Sequence, residues 1–162
     1  MVVWRNHEMS YTVEAHEPLV RFPTTTVLQE YFVPVAKLEK FVHALQRTIK
    51  QYNINMLNVS IRYVPQEKQS TLAYAQQDSF ALVLYFNMPN TQTEKSKAQR
   101  WTQKLIDHAL HLSGTYYLPY QLYATKEQFA KAYPRFPEFL KAKKKYDPAG
   151  VFSNELFAKY AV

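Results

Sequence analysis

The chain has 162 residues, 47% of them apolar, with a formal net charge of +7 and no cysteine. That is one domain's worth of sequence with ample material for a packed core, and it excludes disulfides, thiolate metal sites and cysteine nucleophiles. Its glycines are Gly114 and Gly150 only, where average usage of roughly 7% would give about eleven. Phosphate-cradling loops need glycine so that the backbone can approach the anion, and neither glycine lies in such a loop.

The start, Met1-Val-Val-Trp-Arg-Asn, soon meets His7, Glu8 and Glu14, which is not the pattern of a signal peptide. No apolar run approaches the ~18 residues of a membrane helix. A cytoplasmic protein with no membrane partner is expected. Residues 1–26 are aromatic and charged without clear periodicity and are read as an N-terminal arm or extra strand.

From Val27 the pattern sharpens. Val27 to Val33 is β-branched and aromatic and stops at Pro34, which predicts a strand. Lys37 to Tyr52 places Leu38, Phe41, Val42, Leu45 and Ile49 at helical spacing. Leu57 to Val64 alternates, and Pro65 closes it. A polar stretch, Gln66 to Ser79, leads to a third strand, Phe80 to Asn87. Thr91 with Glu94 opens a second helix, whose apolar face carries Ala98, Trp101, Leu105, Ala109 and Leu112, and Ser113-Gly114 stops it. Thr115 to Gln121 is the fourth strand. Beyond it, Thr125 with Gln128 starts a short helix, Phe136 to Tyr146 reads as another with its lysines outward, Asp147 fixes a turn, and Ser153 caps a last one.

Strand, helix, strand, strand, helix, strand predicts an α+β fold, a ferredoxin-like sandwich with two helices on one face of a four-stranded antiparallel sheet. The expected organisation is the arm (1–26), the ferredoxin-like domain (27–121) and a helical tail packed on it (122–162). On the uncovered face, alternation sends Leu57, Val59, Ile61 and Tyr63 inward and leaves Ser60 and Arg62 outward. It likewise leaves Val83, Tyr85 and Asn87 outward on the third strand. Glu30 is assigned to the same face, because a carboxylate beneath the helices would need a partner that the sequence does not offer. Carboxylate, guanidinium, phenol and amide among apolar groups suit a polyhydroxylated ligand. An ion pair between Glu30 and Arg62 of small energetic value fits the same residues.

The tail carries a further signal. Gly114-Thr-Tyr-Tyr-Leu-Pro-Tyr-Gln121, Tyr133-Pro134, Lys145-Tyr-Asp-Pro148 and Val151-Phe-Ser-Asn154 resemble in order and spacing the C-terminal end of FAD-linked oxidases of the vanillyl-alcohol oxidase superfamily. The similarity is to the branch of alditol oxidases, sugar-lactone oxidases and decaprenylphosphoryl-ribose oxidase. Gln29-Glu-Tyr-Phe-Val-Pro34 and Ser60-Ile-Arg62 resemble strands whose glutamate and arginine meet the substrate in that family. The resemblance implies a substrate-binding, or cap, domain acting on the CH–OH group of a polyol, sugar or sugar lactone. FAD would be held mainly by an N-terminal domain absent from this chain, which alone would be silent. It implies substrate-binding roles for Glu30, Arg62, Tyr85 and Asn87; alternation along the fourth strand puts Tyr117 and Gln121, not Tyr120, on the same open face and adds Tyr117 to the substrate-binding set. Near the flavin ring the family's lysine falls at Tyr120 when aligned on Gly114, with Gln121 adjacent, so both Tyr120 and Gln121 are catalytic candidates. The sequence departs from the family there, since a neutral phenol donates a hydrogen bond where a lysine would bring a charge.

The competing reading of the same topology, with a pI near 9.5, is a ferredoxin-like RNA-binding domain. Such domains put aromatics on the open face of the third strand, and here that face offers only Tyr85. No nucleic-acid partner is expected, and the late lysines read as a solvated helix face. His108 and His111 share a helix face but lack a third metal ligand, and Trp101 is read as core. An open sheet face showing Phe32 and Val83 would favour a homodimer.

Overall fold

The computed structural model describes residues 23–161. Strand β1 (Thr24–Pro34) runs through a single 3-10 turn into helix α1 (Leu38–Tyr52), followed by β2 (Asn55–Val64), β3 (Ser79–Pro89), α2 (Gln92–His111) and β4 (Thr115–Tyr116). Three short helices follow: α3 (Lys126–Ala132), α4 (Phe136–Tyr146) and α5 (Glu155–Tyr160). The sheet is antiparallel with order β2-β3-β1-β4, the expected ferredoxin-like arrangement. The expected N-terminal arm lies outside the described residues up to position 22. Thr24, Thr25 and Thr26 belong to β1, where their branched side chains suit the strand that pairs with Met88 and its neighbours.

Alternation along the two central strands builds the core. Val27, Tyr31 and Val33 of β1 and Leu82, Leu84, Phe86 and Met88 of β3 meet Phe41 and Leu45 of α1 and Trp101, Leu105, Ile106 and Ala109 of α2. Trp101 packs edge-on to Phe86 with ring centroids 4.7 Å apart. Each such side chain contributes about 1.5–3 kcal/mol by leaving water. The helix ends follow local chemistry. The Thr91 hydroxyl accepts the Glu94 N–H at 3.3 Å, and Asn53 closes α1 in the left-handed conformation that asparagine tolerates.

The edge strand departs from its sequence pattern. A bulge between Met56 and Asn58 leaves Leu57 without a register partner, so Met56 and Val59, not Leu57, reach the core. Farther along, Ile61 and Tyr63 are 48% and 57% exposed, because the helix-side core ends at Val59 on this strand. The fourth strand is also shorter than expected, two residues rather than seven. One further bond, from the Tyr117 N–H to the Glu30 carbonyl at 2.9 Å, extends it. Pro119 then has no N–H with which to continue a ladder.

The tail adds Phe129, Ala132, Tyr133, Phe136 and Tyr160 to the same core, with the Phe129 and Tyr160 rings stacked at 4.0 Å. Thr125 and Gln128 form a reciprocal capping box on α3. Asn154, not Ser153, caps α5: it stands at the N-cap position, where its side-chain carbonyl accepts the Phe157 N–H at 2.8 Å. Asp147 pins its turn through the Val151 and Phe152 N–H groups and pairs with Lys143, which holds its carboxyl below the usual carboxylate range.

Gly114 ties the end of α2 to the sheet. Its N–H donates to the Ala109 carbonyl at 2.8 Å, and a Cβ added there would run into the Phe32 carbonyl oxygen. Gly114→Ala must therefore push β4 off β1. Urea unfolding is expected to show a loss of about 1–3 kcal/mol, whereas Gly150→Ala, in open space, should act only through its positive φ.

Candidate functional site

Glu30 lies on the sheet face opposite α1 and α2, as expected, and is 5% exposed. Its Oε1 accepts from Arg62 Nη2 at 2.9 Å. The two residues are not on adjacent strands: β3 runs between them. Glu30 sits opposite Val83, and Arg62 opposite Ala81. The guanidinium therefore reaches diagonally across a strand, a span of about 9–10 Å between backbones. Its side chain stays 43% exposed while that of Glu30 is 6% exposed. The pair is sheltered at the carboxylate and open at the guanidinium.

The pair forms part of a hollow of about 450 Å³ lined also by Phe32, Tyr63, Val64, Tyr74, Tyr117 and Tyr120. Three tyrosines make its aromatic wall. The Tyr117 ring stands edge-on to Tyr74 at 5.4 Å, to Tyr120 at 5.6 Å and to Phe32 at 5.9 Å. Tyr117 is placed by its N–H bond to the Glu30 carbonyl, so wall and carboxylate share one backbone anchor. Beneath, Tyr133 donates to the Tyr116 carbonyl. Burial, with Tyr117 and Glu30 nearby, pushes its phenol well above the ordinary tyrosine range, so it stays neutral.

Of the residues singled out from sequence, Glu30, Arg62, Tyr117 and Tyr120 line this hollow. Tyr85 is opposite Leu28 and Asn58, a step farther along the sheet. Asn87 is farther still, about 13 Å from Val83 along the strand. It is buried and donates to Thr24 Oγ1 at 3.0 Å and the Thr25 carbonyl at 3.3 Å. Gln121 lines a separate hollow of about 460 Å³ with Thr25, Lys95, Gln99 and Tyr123. The chain turn after Pro119 parts it from Tyr120.

Sequence reasoning missed the roof. The segment between β2 and β3 folds back over the sheet, so that Tyr74 covers Phe32 with ring centroids 4.7 Å apart, and Ala75 packs with Phe32 and Ala81. Phe32, expected to show on an open face, is 3% exposed; half of the patch on which a homodimer was expected is closed by the chain itself. The signal was Leu72-Ala-Tyr-Ala75, an apolar run inside a stretch that composition marks as polar. His111 bonds the Asp107 carbonyl at 2.7 Å, and burial pushes His108 down. Trp101 is core, 3% exposed.

The profile of the D-arabinono-1,4-lactone oxidase family matches residues 5–160. The chain belongs to that family. No match was found among curated proteins. Members of the D-arabinono-1,4-lactone oxidase family are FAD-linked oxidases acting on sugar lactones, and this chain is an oxidase-type domain of that kind. Neither glycine forms a phosphate-cradling loop: Gly114 is packed against β1, and Gly150 stands in an exposed turn. No helix among the described residues is long and apolar enough to cross a membrane.

The shelter of Glu30 makes a stability prediction. Arg62→Ala leaves a buried carboxylate short of a charged donor, whereas Glu30→Gln keeps an acceptor for the guanidinium. Urea unfolding should show Arg62→Ala costing about 1–2 kcal/mol, discounted for the exposed guanidinium, and Glu30→Gln costing less. Equal and negligible effects would make the pair an ordinary surface contact.

Proposed function

We propose that this chain is the substrate-binding domain of a flavin-dependent sugar-lactone oxidase and that the hollow over β1 and β3 receives the lactone. The observation that carries the reading is the Glu30–Arg62 pair within an aromatic-lined hollow. A sugar lactone offers hydroxyl donors, acceptor oxygens and apolar C–H faces. Arg62 has five N–H donors in a fixed fork, one of which goes to Glu30 Oε1. Others meet ring or hydroxyl oxygens, while Glu30 accepts from a hydroxyl. The C–H face rests against Tyr117 and Tyr120, which exclude water and strengthen both polar contacts.

In this reading the chain binds and orients its substrate, and the redox chemistry belongs to the flavin held by an N-terminal partner domain of the same enzyme. Tyr120, at the rim of the hollow, is the residue of this chain best placed to hold a proton-bearing hydroxyl toward the reacting carbon. An RNA-binding role draws no support from the site, whose floor includes a carboxylate and whose aromatics are roofed by the chain's own loop.

Two measurements test the reading. In the enzyme carrying its flavin domain, Glu30→Gln and Arg62→Ala should each raise KM for a sugar lactone by about 10- to 100-fold, the size of a hydrogen bond to a charged group, with the flavin absorption spectrum unchanged. Unaltered KM in both variants removes the pair from substrate binding. A titration of this chain alone with FAD, followed by flavin fluorescence, should show no tight binding. Micromolar or better affinity would mean that the chain holds the cofactor itself.

A further inference from the structure

The geometry points to Tyr74 as a specificity-determining residue, a fixed end wall that limits how long a lactone the hollow admits; this rests on the reading of the hollow as the lactone site. Two rows of side chains cross the open face. In one, Phe32 of β1 is opposite Ala81, which is opposite Arg62; in the next, Glu30 is opposite Val83, which is opposite Ser60. The loop roofs the first row: Phe32, Ala75 and Ala81 are 3%, 0% and 0% exposed. The paired methyls of Ala75 and Ala81 let the loop come down this far. In the second row Val83 and Ser60 keep access to solvent. A ligand lying along β1 from Glu30 toward Phe32 therefore meets the Tyr74 ring.

The segment that carries the ring is anchored from Tyr74 to Gln77. Thr115 Oγ1 donates to the Tyr74 carbonyl. The Glu67 N–H reaches the Ala75 carbonyl at 2.8 Å, and Gln76 Nε2 reaches the Ala132 carbonyl at 2.7 Å. Gln77 Nε2 donates to the Ser113 carbonyl at 3.1 Å. Apart from the Glu67 bond, which lies within the loop itself, these anchors come from β4, from the end of α2 and from α3, so the wall is fixed by the elements that flank Tyr117. Phe32 and Tyr117 then fix the ring's tilt. A wall built this way discriminates by volume, against a substrate one CH–OH longer at that end.

The test compares kcat/KM for D-arabinono-1,4-lactone with that for a hexono-1,4-lactone, in the full enzyme. Tyr74→Ala should raise the hexono-to-pentono ratio about 10-fold or more, the scale on which pockets discriminate one carbon unit. Tyr74→Trp should lower it, and Tyr74→Phe should hold it within about twofold. The Trp and Phe variants keep the aromatic contact with Phe32, so they decide the matter even if Tyr74→Ala does not fold. Arg62→Ala is run alongside. If it raises KM for both lactones while the Tyr74 variants leave the ratio unchanged, the end wall is wrong and the site stands. If Arg62→Ala leaves both KM values unchanged, the site fails and the end wall fails with it.

Discussion

A carboxylate on a strand buried from both sides is the constraint around which the open face of this protein is organised. β1 has β3 on one side and β4 on the other, the helix-side core beneath it and the aromatic wall above. Water is largely kept from Glu30, and an ionised group there needs a donor. On β3 the residue opposite it is Val83, which offers no side-chain donor. The donor comes from the edge strand instead, on the one side chain long enough, and rigid enough at its tip, to cross β3. Because the reach begins at an exposed edge, the guanidinium ends half in solvent, where a ligand can meet it.

The other walls depend on how closely the chain can approach β1. Gly114 lets the end of α2 touch the Phe32 carbonyl, which sets β4 against β1 and puts the Tyr117 N–H on Glu30's own backbone. Without that approach the aromatic wall would stand away from the acid it serves. The C-terminal helices then close the far side: Tyr133 reaches the Tyr116 carbonyl, and Phe129 stacks on Tyr160. Of the tail motifs, Tyr133 thus steadies the strand end beside Tyr117, while Tyr117 and Tyr120 of the Gly114–Gln121 motif line the hollow themselves.

Membership of a lactone oxidase family gives this architecture a division of labour. Positioning a substrate requires rigid donors, acceptors and apolar walls, all of which a ferredoxin-like sheet supplies without glycine-rich loops. Holding a dinucleotide requires backbone amides that converge on phosphate, which need glycine. With Gly114 committed to packing and Gly150 to an exposed turn, the chain is suited to the first task in the reading proposed above. Tyr120 lines the hollow beside Tyr117.

Much of the fold was legible in the residues. Period-2 runs at Phe80–Asn87 and helical spacing at Phe41, Leu45 and Trp101 report which side of an element meets apolar neighbours, and burial enforces that locally. The placement of Glu30 followed from the cost of an unpaired charge. Other features depend on neighbours that no local pattern encodes. The bulge at Leu57, the early end of β4 and the exposure of Ile61 and Tyr63 reflect where pairing and helix cover stop. The separation of Gln121 and Asn87 from Tyr120 and Glu30 follows from the turn after Pro119 and from distance along β3. Tyr74 over Phe32 is the clearest case. By itself the amino-acid order determined the α+β layering and the acid on the open face, since side-chain period and charge desolvation act on each residue where it stands. Only the tertiary structure decided that a loop would roof that face, because hydrogen bonds from residues 115, 76 and 77 to distant backbone carbonyls hold it there.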